Sequence, residues 1–199
     1  MMKRCSILVI VLGLLAVSFG AFQHAAVASA QEAGWVTLFD GSKLEGWNRV
    51  GNANWRLADG AVQADSGSGF LVSPASYGDF QMRVEVWVDA DANSGVFIRC
   101  ADPQKIGAAS CYEVNVYDKR PGPEYRTGGI VDVAKVMAKV DAGGKWNTLE
   151  ITAQGPKLQV TTNGIRTAQA EHRGHVRGPF ALQYGAGVVK FRKVQIRPL

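Results

Sequence analysis

The sequence lacks the compositional features that define several classes of protein. It has 7 prolines in 199 residues and a moderate charged fraction of 20%, which excludes a collagen-like repeat and an intrinsically disordered chain. It contains no G-x-S-x-G motif and no phosphate-binding loop, so the serine-hydrolase and nucleotide-binding signatures are missing. The expected organisation is therefore one ordinary globular domain.

Long apolar runs are also scarce, and the one that stands out is N-terminal. Residues 7–22 carry no charge, follow two basic residues and precede the small-residue segment 28–30. This order predicts a secretory signal peptide over residues 1–30. The alternative is a membrane anchor, but the run is interrupted by Ser18 and Gly20 and is short for a bilayer span. We therefore expect a periplasmic or secreted protein with one domain over residues 31–199 and no membrane attachment after cleavage.

The positive charge of the sequence does not point to a polyanionic partner. The formal net charge is +5, and part of it lies in the predicted signal peptide. The remaining basic residues are spread through alternating segments, as in Lys190, Arg192 and Arg197, which is typical of a solvated strand face. We expect no nucleic-acid partner.

Histidine is rare, and its one cluster is weak evidence for a metal. Glu171, His172 and His175 have a spacing that could bind zinc. They fall in a polar, glycine-containing connection, which is usually just solvated. We therefore predict no metal and no cofactor.

Only three cysteines are present, and two of them lie beyond the predicted signal peptide. Cys100 and Cys111 are an even pair in a chain expected to be exported, which predicts a disulfide. Two reduced thiols are the alternative. Strand alternation groups Cys100 with Val96 and Ile98 but Cys111 with Glu113, on opposite faces. A bond between them therefore needs a bulge or the irregular ends of the strands.

Beyond residue 30, apolar and polar residues alternate with period two between glycine turns, and a helical apolar stripe is almost missing. Asn163-Gly164 and Asp59-Gly60 each predict a hairpin. About ten to twelve short strands at this spacing predict an all-β fold, a two-sheet antiparallel β-sandwich or jelly roll. Residues 130–140 leave a short helix, a strand and an irregular connection open. The principal strands are predicted at residues 55–57, 61–63, 80–88, 95–100, 111–117, 146–153, 157–162, 165–170, 180–184 and 188–197.

Three of these strands combine an apolar face with a face that mixes charged and aromatic side chains. If the strands are neighbours, the mixed faces form one surface suited to sugars, because rings stack on pyranoses and polar groups bind hydroxyls. A solvated sheet face with paired charges is the alternative. The surface would hold Arg83, Glu85, Trp87, Phe97, Arg99, Glu113, Asn115 and Tyr117.

The segment Glu113-Val114-Asn115-Val116-Tyr117-Asp118 partly matches the E-x-D-x-x-E strand of retaining glycosidases, which uses two carboxylates. Asn115 replaces the middle aspartate and the shorter Asp118 replaces the last glutamate. Without a bulge Asp118 would face away from Glu113, so this mechanism is a minor alternative.

Several blocks of the sequence resemble the 3-keto-disaccharide hydrolase domain family. The opening Leu38-Phe39-Asp40-Gly41 with Leu44-Glu45-Gly46-Trp47 and the block Asn93-Ser94-Gly95 with Arg99 are the specific ones. The resemblance extends through residues 112–118, 127–130, 144–147, 163–164, 178–183 and 191–194. It implies a concanavalin A-like jelly roll that acts on glycosides oxidised at C3.

The resemblance also implies a chemistry for the site. A ketone at C3 acidifies the C2 hydrogen, so a base can remove it, the C1 group leaves, and water can then add. We predict Glu113 as the base, Arg99 as the clamp of an enolate or hydroxyl, and Asp118 as a third catalytic residue that positions the sugar. The predicted substrate-binding residues are Asn93, Glu85, Trp87, Asn115, Tyr117 and Phe97.

The sequence departs from the family pattern near its end. Many members read L-Q-D-H-G, whereas here Leu182-Gln183 is followed by Tyr184-Gly185, so the histidine is missing. The leading hypothesis is a glycoside-cleaving enzyme for 3-keto-disaccharides or 3-keto-glycosides. A noncatalytic carbohydrate-binding module on the same fold is the alternative, and a structural role without a ligand is the third.

Overall fold

The computed structural model describes residues 33–199, and the described chain is built from strands and connections. The predicted signal peptide lies outside the described residues. Among residues 33–199, no helix is long and apolar enough to cross a membrane. The strands are β1 (Val36–Phe39), β2 (Asn48–Gly51), β3 (Arg56–Ala58), β4 (Ala61–Ala64), β5 (Gly69–Val72), β6 (Phe80–Val88), β7 (Ser94–Ile98), β8 (Tyr112–Val116), β9 (Lys145–Gln154), β10 (Lys157–Thr162), β11 (Ile165–Glu171), β12 (Ala181–Tyr184) and β13 (Val189–Pro198), with a 3₁₀ turn at Pro123–Tyr125.

The strands form two antiparallel sheets, which confirms the predicted sandwich. The larger sheet has the order β11-β10-β9-β6-β13-β4-β3, with β1 also paired to β13. The smaller sheet has the order β2-β5-β12-β7-β8. Neighbours in both sheets are often distant in sequence, as for β7 with β12 and β6 with β13.

The core lies between the two sheets and follows from strand alternation. In β6 the residues Met82, Val84, Val86 and Val88 are buried, and the residues between them are only partly buried. The smaller sheet contributes Val96, Ile98, Tyr112 and Val114 to the same core cluster. β6 thus buries alternate side chains between the sheets, whereas β7 is buried at every position and the outer side of the smaller sheet carries a second buried cluster of Val72, Phe97, Cys100, Cys111 and Ala181.

The predicted hairpins are present where the turn residues indicated them. β10 and β11 flank Asn163-Gly164, and β3 and β4 flank Asp59-Gly60. Asn163 and Asp59 both have positive φ, at 51° each, as this kind of two-residue turn requires. Residues 130–140 form an irregular connection with isolated bridges. The short strands β1, β2 and β5 were not predicted.

Cys100 and Cys111 form a disulfide. The alternation conflict is resolved at Arg99, whose φ of 52° is left-handed and breaks the strand pattern directly after Ile98. This break turns Cys100 to the outer side of the sheet, where it packs with Cys111 and Phe97. The bond thus lies at the irregular end of β7.

Candidate functional site

The outer face of the smaller sheet brings together three of the predicted site residues, Phe97, Glu113 and Asn115. Two rows of side chains cross it, as the strand register determines. The first row is Asn48, Val72, Ala181, Phe97 and Glu113. The second row is Val50, Phe70, Gln183, Gly95 and Asn115.

Glu113 is the titratable group in this face with the most altered environment. Burial raises the pKa of its carboxyl above the ordinary glutamate value of 4.5. The nearby Arg120 lowers the pKa and Asp132 raises it, both by smaller amounts. A partly buried carboxyl with a raised pKa, next to a guanidinium, is a suitable general base.

Gln183 extends across the gap that Gly95 leaves in the second row. A Cβ on Gly95 would lie 3.3 Å from Gln183 Oε1 and 3.1 Å from the Val114 carbonyl oxygen. Gln183 Oε1 is buried and has no hydrogen-bond donor among the described residues. Such an oxygen marks a place where a ligand hydroxyl can donate a hydrogen bond.

Aromatic rings form the floor of the face. Phe97 is fully buried in the first row, and Phe70 packs edge-on against it with ring centroids 5.2 Å apart. Phe70 remains partly exposed. The face therefore offers the partly exposed ring of Phe70 as carbon surface and Gln183 Oε1 as an acceptor, the two kinds of group that sugar recognition uses.

Asn115 lies below the surface instead of facing a substrate. It is fully buried, and its Nδ2 donates to the Tyr125 carbonyl oxygen at 2.7 Å. Its backbone pairs with Gly128 and Gly129, and the Val131 amide donates to the Glu113 carbonyl oxygen. The connection after β8 thereby folds back along the edge of this strand and covers Asn115.

Asp118 also holds this connection. It accepts hydrogen bonds from the Thr127 hydroxyl at 2.6 Å and from the amides of Ala142 and Gly143 at 2.8 and 2.9 Å. Its carboxylate lies 3.6 Å from the Arg126 guanidinium. With its oxygens occupied in this way, Asp118 holds the loop beside Glu113, and its catalytic role stays a prediction.

Arg99 does not face the outer surface, so the predicted clamp is wrong in its placement. Its side chain is 1% exposed and pairs with Asp79 at 2.9 Å. The guanidinium also donates to the carbonyl oxygens of Gly78 and Gly155 at 2.8 Å each. The left-handed turn at Arg99 directs the side chain to the end of the sandwich, where it ties loops of both sheets together.

Glu85 and Trp87 lie on the other sheet from Glu113. Their strand, β6, belongs to the larger sheet and pairs with neither β7 nor β8, so its outer face is on the opposite side of the sandwich from Glu113. Glu85 pairs with Arg192, and Lys190 lies over the Trp87 ring at 5.1 Å from its centroid. The predicted single surface is therefore wrong, and this face carries paired charges and cation–π contacts.

The remaining predicted residues, Asn93 and Tyr117, directly flank β7 and β8. Asn93 begins the turn into β7 and pairs its backbone with Gly185 and Ala186, beyond Gln183. Tyr117 follows β8 and is partly buried. The two histidines of the weak metal motif lie at Tyr112. The Tyr112 hydroxyl donates to the His172 carbonyl oxygen and accepts a hydrogen bond from the His175 amide. Within residues 33–199, no group of three or more metal-ligating side chains is present.

Sequence reasoning missed Arg120, Asp132, Phe70 and Gln183. Arg120 Nε is buried without an acceptor among the described residues, so it could donate to an oxyanion near Glu113. Arg120 and Asp132 lie in irregular chain, where alternation assigns no face. Alternation along β12 could have assigned Gln183 to the outer face. Its position beside Gly95, however, follows only once the pairing of β12 with β7 is known.

The fold defines the class of protein. A Bacillus subtilis protein with a galectin-like fold matches with a TM-score of 0.61 at 8% identity, covering 77% of this chain and 90% of that one. The carbohydrate-binding module CBM66 from Bacillus subtilis matches with a TM-score of 0.60 at 18% identity, covering 76% and 95%. The chain is thus a jelly roll of the concanavalin A and galectin kind.

The family follows from the sequence. A profile of the family described as 3-keto-alpha-glucoside-1,2-lyase-like domain matches residues 34–197, and the chain belongs to this family. A Parabacteroides distasonis chain described as a candidate glycosyl hydrolase matches with a TM-score of 0.73 at 19% identity, covering 83% of this chain and 94% of that one. Among curated proteins, none matches the sequence.

Proposed function

We propose that this protein cleaves the glycosidic bond of 3-keto glycosides on the outer face of its smaller sheet, with Glu113 as the base. The observation that carries the proposal is the Glu113 carboxyl, with its pKa raised by burial beside Arg120. The family membership supports the reaction class. The unpartnered Gln183 Oε1 supports a hydroxyl-bearing ligand on the same face.

The proposed reaction is an elimination that water can complete. Ionised Glu113 takes the C2 proton, and the electron pair forms an enolate that carries its charge on the C3 oxygen. Arg120, through its free Nε–H, stabilises this oxyanion. The enolate then expels the C1 oxygen, which takes up a proton and leaves with the aglycone. Addition of water to the resulting unsaturated ketone at C1 gives net hydrolysis.

The test is turnover of 3-keto-trehalose and methyl 3-keto-α-glucoside, followed by release of the aglycone and by absorbance of the unsaturated ketone. We expect Glu113→Gln to lower kcat by about 10² to 10⁴-fold, the usual contribution of a general base. Glu45→Gln is the matched control, because Glu45 is 84% exposed and its carboxylate pairs with the exposed Lys43. Full activity of Glu113→Gln would refute the assignment of the base.

A noncatalytic carbohydrate-binding module is the second candidate. The likeness to CBM66 favours it, together with the missing family histidine after Gln183. In that case the wild-type protein binds both 3-keto sugars in calorimetry and turns over neither, and Glu113→Gln keeps the affinity. Turnover that is abolished by Glu113→Gln rejects this candidate.

We also propose that the protein acts outside the cytoplasm. The Cys100–Cys111 disulfide supports this, because such bonds persist in oxidising compartments. Fractionation of the source cells, with mass spectrometry of the N-terminus, tests it. Recovery of a reduced protein that still begins at Met1 in the cytoplasm would refute it.

A further inference from the structure

The outer face of the larger sheet carries two neighbouring tryptophans. The strand register places Trp87 of β6 directly beside Trp146 of β9. Both residues are partly buried, so part of each indole remains at the surface. Adjacent strands lie about 4.8 Å apart, and the two rings therefore form one aromatic platform. Such a platform offers apolar surface on which the carbon face of a pyranose ring can pack.

A β-bulge in β13 gathers positive charge beside this platform. Simple alternation would send Arg192 and Lys193 to opposite faces of the sheet. The register of β13 with β6 shifts between Phe191 and Lys193, so Arg192 is an extra residue, and both cations are exposed. Lys190 is on the outer face as well, because it lies opposite Trp87 in the same register. The strand therefore presents three cations within four consecutive residues, which alternation did not predict.

The contacts of these cations leave two of them available for a partner. Arg192 pairs with Glu85, and its guanidinium carbon lies 4.2 Å from the centroid of the Trp146 ring. Lys190 lies over the neighbouring indole. Among residues 33–199, no carboxylate oxygen lies within 4.0 Å of the Nζ of Lys190 or Lys193. The surface thus combines aromatic rings with ammonium groups that an anionic ligand can neutralise.

The arrangement also distinguishes between kinds of anionic partner. A nucleic-acid base stacks on an open ring face, whereas here a cation lies over each of the two indoles. A membrane-binding surface inserts exposed apolar side chains, and none of the strongly exposed large hydrophobic residues among 33–199 belongs to β6, β9 or β13. A uronic acid unit matches both features, because its carboxylate is attached to a pyranose ring. The carboxylate can bind an ammonium group while the ring packs against an indole.

From these observations we infer that the outer face of the larger sheet, around Trp87 and Lys190, binds an acidic polysaccharide built from uronic acid units. Its carboxylates pair with Lys190 and Lys193, and its rings pack on Trp87 and Trp146. This surface is separate from the proposed reaction site, because Glu113 lies on the outer face of the smaller sheet. It holds the protein on an acidic polymer and leaves the face that carries Glu113 uncovered.

The test measures binding of polygalacturonate by affinity electrophoresis and calorimetry, with dextran as the neutral polymer. We expect the double variant Lys190→Gln/Lys193→Gln to weaken polygalacturonate binding about tenfold, because two ion pairs with the polymer are lost. Lys43→Gln/Lys105→Gln is the matched control. It removes the same charge from lysines that are 72% and 84% exposed and lie outside this face, and it should bind like the wild type.

Two further variants separate charge from ring contact. Lys190→Arg/Lys193→Arg keeps both charges and should keep the affinity. Trp87→Leu removes an indole and should raise the Kd for polygalacturonate, with thermal unfolding as the check on its fold. If Trp87→Leu does not fold, the lysine variants decide the question.

Several results would overturn the inference. One is a wild-type protein that does not bind polygalacturonate, or that binds dextran equally well. Another is an equal loss of affinity in the two glutamine double variants, which would reflect net charge alone. Tighter binding of oligodeoxyadenylate or of phosphatidylglycerol vesicles would assign the face to a nucleic acid or a membrane instead. Turnover of the 3-keto substrates is measured separately, so the inference and the proposed function can fail independently.

Discussion

At the scale of single residues, the environment of Glu113 sets a pH dependence for the proposed reaction. A base must be ionised, so activity falls as the pH drops below the pKa of Glu113. Because burial raises that pKa, we expect the ascending limb of kcat/KM against pH to lie above the ordinary value of 4.5. Arg120→Gln removes a charge that lowers the pKa and should move the limb to higher pH.

Asp132→Asn should move the limb the other way, because Asp132 raises the pKa of Glu113. Asparagine tolerates the left-handed φ of 58° at this position. Asp59→Asn is the control, since Asp59 has a φ of 51° in an exposed turn of the other sheet. If the ascending limb of kcat/KM against pH is unshifted in both Arg120→Gln and Asp132→Asn, a group other than Glu113 is titrating.

Arg99 belongs to the same scale but acts on stability. Arg99→Met leaves the carbonyl oxygens of Gly78 and Gly155 without their donor. We expect the free energy of unfolding to fall by about 3 kcal/mol, which urea denaturation measures. Arg177→Met is the control, because Arg177 is exposed and donates a hydrogen bond to the Ser76 carbonyl oxygen. If Arg99→Met is as stable as Arg177→Met but has lost turnover, Arg99 acts on the substrate and this prediction is wrong.

At the scale of the strand elements, Gly95 in β7 leaves the space that the Gln183 side chain uses. A Cβ there approaches both Gln183 Oε1 and the Val114 carbonyl oxygen to within 3.3 Å. We expect Gly95→Ala to displace Gln183 and lower kcat/KM for the disaccharide roughly tenfold, equivalent to about 1.4 kcal/mol.

Gly107→Ala is the matched control for this prediction. A Cβ on Gly107 meets nothing within 4 Å, and its backbone needs no left-handed φ. Thermal unfolding separates loss of fold from loss of binding. Wild-type kinetics in Gly95→Ala would mean that Gln183 is not placed by this gap.

The elements also show what sequence could predict. Asn163-Gly164 and the alternation of β6 are local signals, and both gave the right structure. The alternation of β8 placed Glu113 on the outer face as well. What alternation cannot give is the neighbour of a strand, because β7 pairs with β12 some 85 residues later, as the Leu182 to Val96 register shows. The predicted placement of Arg99 was wrong for another reason, because nothing in the sequence around an arginine indicates that it will adopt a left-handed φ.

At the scale of the whole molecule, the two outer faces are separated by the full thickness of the sandwich. Packed sheets lie about 10 Å apart, and sites at such a separation act independently. Glu85 lies on the outer face of the larger sheet, where it pairs with Arg192. We therefore expect Glu85→Gln to change kcat/KM by less than about twofold, as substitutions at independent sites do.

Glu113→Gln makes the same chemical change on the opposite face, so it is the variant with which Glu85→Gln is compared. Steady-state kinetics on the same 3-keto substrates measure both variants. Equal losses in Glu85→Gln and Glu113→Gln would contradict the assignment of the site to the smaller sheet.

The chain that follows β8 has a consequence for assembly. Gly128, Gly129 and Val131 occupy the hydrogen-bonding groups of Asn115 and Glu113 that an edge strand would otherwise expose. Unpaired edges are where sheets recruit strands from other molecules and aggregate. The strand that carries the proposed base is therefore protected from pairing with strands of other molecules along this edge.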